Sequence, residues 1–212
     1  MSRSSTRPRS RLLPWLLFGG ALIALLSLRL FEQLRPEPLP VIAIIPAFSL
    51  FDQNGSSFDD TALRDRVWVA SFIYTACPGP CPRLVRRVAK LQKDFDGDPR
   101  VRFLSFSVDP ERDSTDVLAG YAKVHGIDGE QWRLLTGATG AVTGLVRDGF
   151  SLVLAAAGEE ISGDDGPIIH SVHLVLVDGE MRVRGYYDSN DPEALERLAH
   201  DTGSLLDELP RP

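Results

Sequence analysis

The sequence predicts an α/β domain, with a central mixed sheet flanked by helices, behind a single N-terminal transmembrane helix. Two β-branched and aromatic runs, Val67–Tyr74 and Val101–Val108, are long enough to be buried strands. A segment with helical features follows each of these strands. A charge-free apolar run, Leu12–Leu28, follows a basic N-terminus. These three patterns divide the chain into an anchoring part and one folded domain.

The first 45 residues are expected to anchor the domain. Residues 1–11 are basic and free of acidic residues, which predicts a cytoplasmic tail. The charge-free run Leu12–Leu28 is near the lower end of the roughly 17–25 residues that span a bilayer. Leu30 and Phe31 extend it past Arg29, so residues 12–31 are the expected transmembrane anchor. A cleaved signal peptide is the alternative, although the segment after Leu28 offers no Ala-x-Ala site. Residues 32–45 are expected to form a proline-rich linker, and residues 46–212 the folded domain.

The folded domain is expected to alternate strands and helices. Apolar side chains at helical spacing predict an amphipathic helix after Cys81. A second helix is expected from about Ser114 to His125, with Ser114 or Thr115 as its N-cap and Gly126 at its end. The remaining expected elements are a strand at WRLLTG, a helical stretch from Thr139 to Arg147, a hairpin turning at Asp178-Gly179, and a C-terminal helix opened by Asp191-Pro192.

Charge is distributed unevenly along the chain. The whole chain carries a formal net charge of −6, and residues 1–35 carry +5, which leaves −11 for the rest. An acidic domain repels phosphate backbones, so nucleic acid is not an expected partner. The apolar fraction is ordinary for a chain that builds a hydrophobic core without cross-links.

Both cysteines of the chain, Cys77 and Cys81, stand in the stretch TACPGPCP, between the first strand and its helix. Outside the cytoplasm they could form a disulfide. A loop this short gives little stabilisation in the chain-entropy model, so a reactive pair is favoured over a structural cross-link. Pro82 suits the first helical position, which predicts Cys81 as the N-cap and CPGPC as a loop. The N–H groups of the helix end then favour thiolate over thiol.

Two close thiolates can exchange with disulfides or hold a soft metal. Thiolates select copper(I), whereas copper(II) also requires a harder nitrogen donor. Four histidines are available. His125, in the last turn of a helix, is interpreted as structural, and His200 as an exposed helical residue.

His170 and His173 flank the start of the strand SVHLVLVD, where residues three apart point to opposite faces. His170 is favoured as the ligand because it lies at the mouth of the strand, after a Gly/Asp-rich loop. His173 lies among apolar strand residues, which favours a packed histidine. The pattern itself leaves both assignments open.

Asp109, in the segment DPERD, allows two interpretations. It is either a solvated turn residue or a carboxylate near the cysteine loop that tunes a metal or docks a partner. Tyr74 and Trp68 are expected to be core aromatics.

Several separated motifs resemble the Sco/SenC family, in matching order from about Pro46 to Asp188. VWVASFIYTACPGPCP is similar to that family's buried strand and Cys-x-x-x-Cys-Pro loop. FSVDPERDSTDVLAGYAKVHG resembles its Asp-Pro-Glu-Arg-Asp segment and helix, and HSVHLVLVDGE its His-Ser/Thr strand. Two departures concern the surroundings of the ligands. Gly79-Pro80 stands where the family often has Asp-Val, and Ile169 where it often has an acidic residue before the histidine.

The resemblance implies a thioredoxin-like fold in the periplasm, held at the inner membrane by one span. It implies copper, as Cu⁺ and Cu²⁺, bound by Cys77, Cys81 and His170, with the cysteines also forming a redox-active pair. The family assembles the binuclear copper site of cytochrome c oxidase, by delivering copper or by reducing that site's cysteines. The implied partners are the oxidase subunit that holds this site, or another copper chaperone.

Three other functions would use the same domain. A membrane-anchored thiol-disulfide oxidoreductase without a stoichiometric metal is the main alternative, and bound copper would distinguish the two. A peroxidase of the peroxiredoxin type is disfavoured by the paired cysteine and the downstream histidine motif. A non-catalytic docking domain in oxidase assembly predicts that double cysteine variants still support assembly.

Overall fold

A computed structural model of the chain describes residues 38–127, 129–154, 168–169 and 172–210, together with Ser27 and Arg29. The expected cytoplasmic tail, nearly all of the expected anchor and His170 lie outside the described residues. Within the described part, no helix has both the length and the apolar character needed to cross a membrane. Residues 1–38 and 39–212 form separate compact units, and the sheet and helices belong to the second.

One eight-stranded mixed sheet forms the centre of the domain. Three parallel strands lie in its middle: β4 (Val67–Ile73), β5 (Val101–Ser107) and β6 (Trp132–Thr136). The strands beside them are antiparallel: β1 (Ala43–Ile44), β2 (Ser49–Asp52), β3 (Ser57–Asp59), β9 (His173–Val177) and β10 (Arg182–Asp188). The strand order is β1-β10-β9-β4-β5-β6-β2-β3. The expected mixed sheet is confirmed.

Helices cover both faces of this sheet. On one face α1 (Pro80–Asp94), α2 (Thr115–His125) and α4 (Pro192–Glu208) contribute to a first core. On the other face α3 (Thr139–Gly144), which continues as a π-helical turn over Leu145–Gly149, contributes to a second core. A short 3-10 helix covers Asp60–Leu63, and β7 (Val153–Leu154) pairs in parallel with β8 (Ile168–Ile169).

The central strand β4 shows why the sequence folds this way. All seven of its residues are buried, as expected for a strand covered on both faces. Because successive side chains alternate, Val67 and Val69 join the first core while Trp68 and Ala70 join the second. The expected strand at Val67–Tyr74 is confirmed to within one residue.

The helix signals in the sequence are confirmed at α2 and α4. The Ser114 side chain accepts a hydrogen bond from the N–H of Val117, and Gly126 ends the helix in the left-handed region at φ 70°. The Asp191 side chain accepts from the N–H of Glu193, with Pro192 at the start of α4.

Two features of the sheet edges have no counterpart among the expected elements. The hairpin of β2 and β3 turns at Gly55, where the Asp52 carboxylate accepts the N–H groups of Asn54 and Ser56 at 2.9 and 3.0 Å. Residues 43–44, within the expected linker, form β1 at the opposite edge of the sheet. The buried Arg184 guanidinium donates to the carbonyl of Pro40 at 3.1 Å, which holds the segment before β1 on the domain.

Candidate metal centre

The cysteine loop connects the end of β4 to the start of α1. Sequence reasoning placed Cys81 as the N-cap, and this prediction is wrong: α1 begins at Pro80, with Gly79 as its N-cap. Gly79 takes a non-helical backbone at φ −156° and ψ −62°, so the helix starts directly after it. Pro82 lies in the first turn, where its missing N–H removes no intrahelical hydrogen bond. Cys81 therefore lies inside the first turn of the helix.

Both cysteines are buried thiols, and no disulfide joins them. Cys77 is 7% exposed and Cys81 0% exposed, so a partner reaches Cys77 more easily. The backbone N–H of Cys81 donates to Cys77 Sγ at 3.3 Å. The N–H of Gly79 and the Cys81 thiol also hydrogen-bond to the same sulfur. The structure thus brings the two predicted sulfur ligands together at the N-terminus of a helix.

The surroundings of Cys77 favour its thiolate. Burial alone would raise the pKa of the Cys77 thiol, but hydrogen bonds from Cys81, Gly79 and Tyr74 outweigh it and lower this pKa from its ordinary value. The Cys77 sulfur is therefore a better nucleophile and metal ligand at neutral pH than an ordinary cysteine thiol.

Tyr74 was expected to be a core aromatic, and the structure gives it an additional role. Its hydroxyl hydrogen-bonds to Cys77, and this bond is the main reason why the pKa of Tyr74 is raised, with burial second. A raised pKa keeps the hydroxyl protonated, so Tyr74 is a donor to the thiolate. In the sequence, the signal for this role was the position of Tyr74 at the end of a buried strand, three residues before Cys77.

A buried carboxylate holds the cysteine loop in place. Asp113, 1% exposed, accepts hydrogen bonds from the Thr75 N–H at 3.1 Å, from the Thr75 hydroxyl, and from the Ser107 hydroxyl at 2.6 Å. Thr75 begins the cysteine loop and Ser107 ends β5, so one side chain joins the loop to the neighbouring strand. Sequence reasoning missed Asp113, although it stands directly before the N-cap of α2 at the same sheet edge.

Asp109, the acidic residue that the sequence singled out, is a turn residue. Its carboxylate pairs with Arg112 at 2.9 Å, and its backbone carbonyl accepts the N–H groups of Arg112 and Asp113. Its negative charge contributes the smallest share to the raised pKa of Tyr74. The first of its two interpretations, the strand-to-helix turn, is supported by these contacts.

A second tyrosine lies near the thiols. The hydroxyl of Tyr121 on α2 is buried and has no hydrogen-bond partner in the described part of the chain. Burial is the main cause that raises the pKa of Tyr121 to about 12, and the negative charges of Cys81, Cys77 and Asp113 add to it. The site therefore contains a protonated hydroxyl, that of Tyr121, which has no hydrogen-bond acceptor among the described residues.

The described histidines are His125, His173 and His200, and none of them is recorded in contact with the thiols in the described part of the chain. His125 ends α2 with its ring 4.2 Å from that of Tyr121, and His200 is exposed on α4. His173 begins β9 and shares a strand face with Val175 and Val177, which belong to the second core, whereas the cysteines belong to the first. His170 lies outside the described residues. Within residues that are described, no three His, Cys, Asp or Glu side chains form a group that could hold a metal ion.

The chemistry of the donors fits a soft metal ion with one further ligand. Two sulfurs hydrogen-bonded to each other, one with a lowered pKa, provide the thiolate pair that copper(I) prefers. The orphaned Tyr121 hydroxyl is a further polar group beside them. The same pair can instead attack a disulfide. The geometry is therefore compatible both with copper binding and with disulfide exchange.

Comparison with known proteins identifies a family with which this chain shares its sequence. Residues 37–207 match the model of the SCO1/SenC family. The SCO1 protein homolog of Bacillus subtilis is 34% identical over 94 residues, which cover 44% of this chain and 49% of that protein. The mitochondrial SCO2 homolog of Homo sapiens is 31% identical over 191 residues, covering 84% of this chain and 69% of that protein.

Solved structures show the same mixed α/β fold. BsSco, a member of the Sco family of cytochrome c oxidase assembly proteins in which a disulfide switch was identified, aligns with a TM-score of 0.69 at 24% identity, covering 81% of this chain and 99% of that one. ScoI of Bradyrhizobium japonicum with copper bound aligns with a TM-score of 0.61 at 24% identity, covering 77% and 100%. The sheet and its flanking helices match this thioredoxin-like architecture.

Proposed function

The chain belongs to the SCO1/SenC family, and we propose that it binds copper at its cysteine loop and acts in assembling the binuclear copper site of cytochrome c oxidase. The observation that carries the proposal is the reduced thiol pair at the start of α1, with the pKa of Cys77 lowered. The copper-bound ScoI, and BsSco with its role in oxidase assembly, support it through their shared fold.

The proposed ligands are Cys77, Cys81 and His170. Two thiolates suit copper(I), and an imidazole adds the nitrogen donor that copper(II) requires. Support for His170 comes from topology. Because Ala70 pairs with Val175 in antiparallel register, β9 begins at the sheet end that carries the cysteine loop, and it does so three residues after His170 in the chain. His173 faces the other core, which disfavours it as the alternative ligand.

The protein's own residues would prepare the site for its cargo. The Tyr74 hydroxyl and the N–H groups of Gly79 and Cys81 stabilise the Cys77 thiolate, so less free energy is needed to deprotonate it when copper arrives. Asp113 fixes the loop that carries Cys77 and leads into the first turn of α1, which carries Cys81. A site of three ligands leaves one position open, through which a partner's thiolate can take the copper by ligand exchange without a change in its oxidation state.

A second candidate function is reduction of the partner's cysteines before copper arrives. The lowered pKa of Cys77 favours it. The Cys77 thiolate attacks one sulfur of the partner's disulfide, and the other sulfur leaves as a thiolate. Cys81 loses its proton and attacks the mixed disulfide, which closes the Cys77–Cys81 disulfide and releases the second partner thiolate. Two electrons pass to the partner, and this chain loses both sulfur ligands for copper.

The proposed location is the periplasmic side of the inner membrane. The basic residues 1–11 followed by the apolar residues 12–31 support a single anchor with the domain outside the cytoplasm. The proposed partners are the copper-site subunit of the oxidase or another copper chaperone.

Titration of the reduced protein with copper tests the proposal. We expect one copper per chain, with thiolate-to-copper charge-transfer absorption that Cys77→Ser or Cys81→Ser removes. His170→Ala is expected to weaken copper(II) binding, with His173→Ala as its matched control. Unchanged absorption in either serine variant would contradict the site, and a loss of copper(II) in His173→Ala with no loss in His170→Ala would reverse the histidine assignment.

A further inference from the structure

The outward face of α1 carries a line of positive charge that the proposed copper site does not use. Arg83, Arg86, Lys90 and Lys93 are all exposed, and we call these four residues the basic stripe. At about 100° per residue their side chains fall within an arc of about 80° on the helix. The buried residues of α1 occupy the opposite face, in the first core.

The only acidic residue of α1 is the exposed Asp94 at its last position, and no ion pair in the described part of the chain joins an acidic side chain to the basic stripe. Every ion pair found between described residues involves other cations of the chain. The neighbouring Arg87 differs, because it donates to Ser189 Oγ at 3.3 Å and to Asn190 Oδ1 at 2.7 Å. These four cations stand on a domain whose remaining charge is strongly acidic, since residues 36–212 carry a net −11 while the whole chain carries −6 and residues 1–35 carry +5. The basic stripe is therefore a positively charged patch on a domain whose net charge is negative.

The basic stripe begins beside the thiols. Arg83 follows Cys81 by two residues on the same helix, and the stripe extends about 15 Å along the axis at about 1.5 Å per residue. A protein that lies along α1 would therefore have the cysteine loop at one end of its contact surface.

We propose that the basic stripe is the docking surface for an acidic face of the protein that exchanges copper or electrons with Cys77 and Cys81. This inference rests on the proposed function and adds the charge of the partner. A face of one sign steers an oppositely charged partner and fixes its register, and steering of this kind raises association rates by about 10 to 10³. Such attraction weakens as added salt shortens the screening length.

The helix face fits an acidic protein better than an anionic membrane surface. A helix that lies on a membrane inserts an exposed apolar face below its cations. The apolar side chains of α1, among them Leu84, Val88 and Leu91, are buried in the domain instead. In the described residues, none of the large exposed apolar side chains belongs to α1. The acidic remainder of the domain would also be repelled by anionic lipid.

Disulfide exchange with two matched peptides tests this proposal. Both peptides carry one cysteine as a mixed disulfide with 2-thiopyridine, and they differ only in four glutamates against four glutamines. A protein thiolate attacks the peptide sulfur and releases 2-thiopyridone, which is followed by its absorbance. The second cysteine then closes the Cys77–Cys81 disulfide and frees the peptide thiol. For the reduced full chain in neutral detergent we expect the glutamate peptide to react on the order of tenfold faster at low salt, with the advantage falling as salt rises.

Two triple variants remove the same charge from different places. Arg86→Gln, Lys90→Gln and Lys93→Gln together are expected to abolish the preference for the glutamate peptide. Arg64→Gln, Arg147→Gln and Arg197→Gln together, all exposed arginines on elements other than α1, are expected to preserve it. Equal rates for the two peptides, or equal loss in both variants, would overturn the proposal.

Vesicles test the lipid alternative. Sedimentation with vesicles of phosphatidylglycerol and phosphatidylcholine, compared with phosphatidylcholine alone, is expected to show no retention that depends on the stripe. Retention lost in the stripe variant, combined with no peptide preference, would overturn the proposal in favour of lipid. The stripe variant is expected to bind copper as the parent does, so failure of copper binding in the parent and failure of docking are distinguishable.

Discussion

The two ends of the central sheet each hold a buried aspartate, but the two aspartates have different partners. At the amino end of β4, the Asp178 carboxylate pairs with Arg184 at 2.7 Å and with Arg182 at 2.8 Å. At the carboxyl end, Asp113 receives only neutral donors, the Thr75 N–H and two hydroxyls. The first cluster joins sheet elements to each other, and the second joins the sheet to the cysteine loop. The difference indicates that one end of the sheet stabilises the domain while the other positions its chemistry.

Removal of Arg184 is expected to have the largest effect on the free energy of unfolding, and it acts at the end of the sheet that stabilises the domain. Arg184→Ala leaves the buried Asp178 without its most buried partner and releases the carbonyls of Leu39 and Pro40. Truncating one partner of a buried ion pair typically costs about 3 kcal/mol or more, and denaturant unfolding measures this loss. The exchange rate of the folded variant with the glutamine peptide is expected to match the parent. A change in that rate without a loss of stability would contradict the division between the two ends.

Asp113→Asn tests the positioning end. The amide nitrogen cannot accept the hydrogen bonds that one carboxylate oxygen accepts, so a buried donor from Thr75 or Ser107 loses its partner. We expect a stability loss of about 1–3 kcal/mol together with weaker copper binding, measured by competition with a copper(I) chelator. Parent copper affinity in this variant would mean that Asp113 is only structural, like Asp178.

Acid should affect the stabilising end in a defined direction. Burial by itself raises the pKa of Asp178, but the hydrogen bonds from Arg184 and Arg182 outweigh it and lower this pKa below its ordinary value of 3.8. A lowered folded-state pKa gives stability that is complete above the unfolded pKa and is lost as the pH falls through the folded pKa. We therefore expect the free energy of unfolding to fall below about pH 4, and to fall less in Asp178→Asn. If the free energy of unfolding fell with acid identically in the parent and in Asp178→Asn, Asp178 would not be the group that causes the loss.

Tyr74→Phe is expected to have a smaller effect, confined to the positioning end. Loss of the hydroxyl removes one donor to Cys77, so the pKa of the thiol is expected to rise. The rate of Cys77 alkylation followed against pH should then shift to higher pH, with little change in stability. The lowered pKa of Cys77 also makes the free energy of unfolding of the reduced protein increase as the pH rises towards 9.0, the ordinary pKa of the thiol. This increase should be smaller in the variant. A pH profile equal to that of the parent would exclude Tyr74 as a donor.

The smallest effect is expected at an exposed ion pair. Arg147 and Asp148 pair at 2.7 Å with more than half of each side chain exposed, and such pairs contribute about 0–1 kcal/mol. Arg147→Gln should leave both unfolding and copper binding close to the parent. A large loss here would show that the buried character of the Arg184 pair is not what matters.

The parts of the fold that the sequence predicted are those in which one local signal decides the structure. The apolar run of β4, the Ser114 cap with Gly126, and the Asp178-Gly179 turn each specify an element without reference to distant residues. The β2–β3 hairpin carries a usable Asn54-Gly55 signal, but its strands are short. β1 is recognisable only through its pairing with β10, which lies about 140 positions later in the chain.

The candidate site was predictable in its sulfurs and less so in its supports. Cys77 and Cys81 are the only cysteines, and their spacing alone indicates a reactive pair. Asp113 could not be chosen over Asp109 from the sequence, since both are acidic residues of one turn and only the register of β4 against β5 decides which reaches the loop. The N-cap was misplaced because two prolines offered two helix starts, and the non-helical backbone of Gly79 decides between them.

X-ray absorption spectroscopy of the copper(I)-loaded protein tests the central claim most directly, because it counts the atoms bound to the metal. We expect two sulfur neighbours and one nitrogen, with the nitrogen lost in His170→Ala and sulfur lost in Cys77→Ser and Cys81→Ser. A first shell without sulfur, or one unchanged in the serine variants, would contradict a copper site at the cysteine loop.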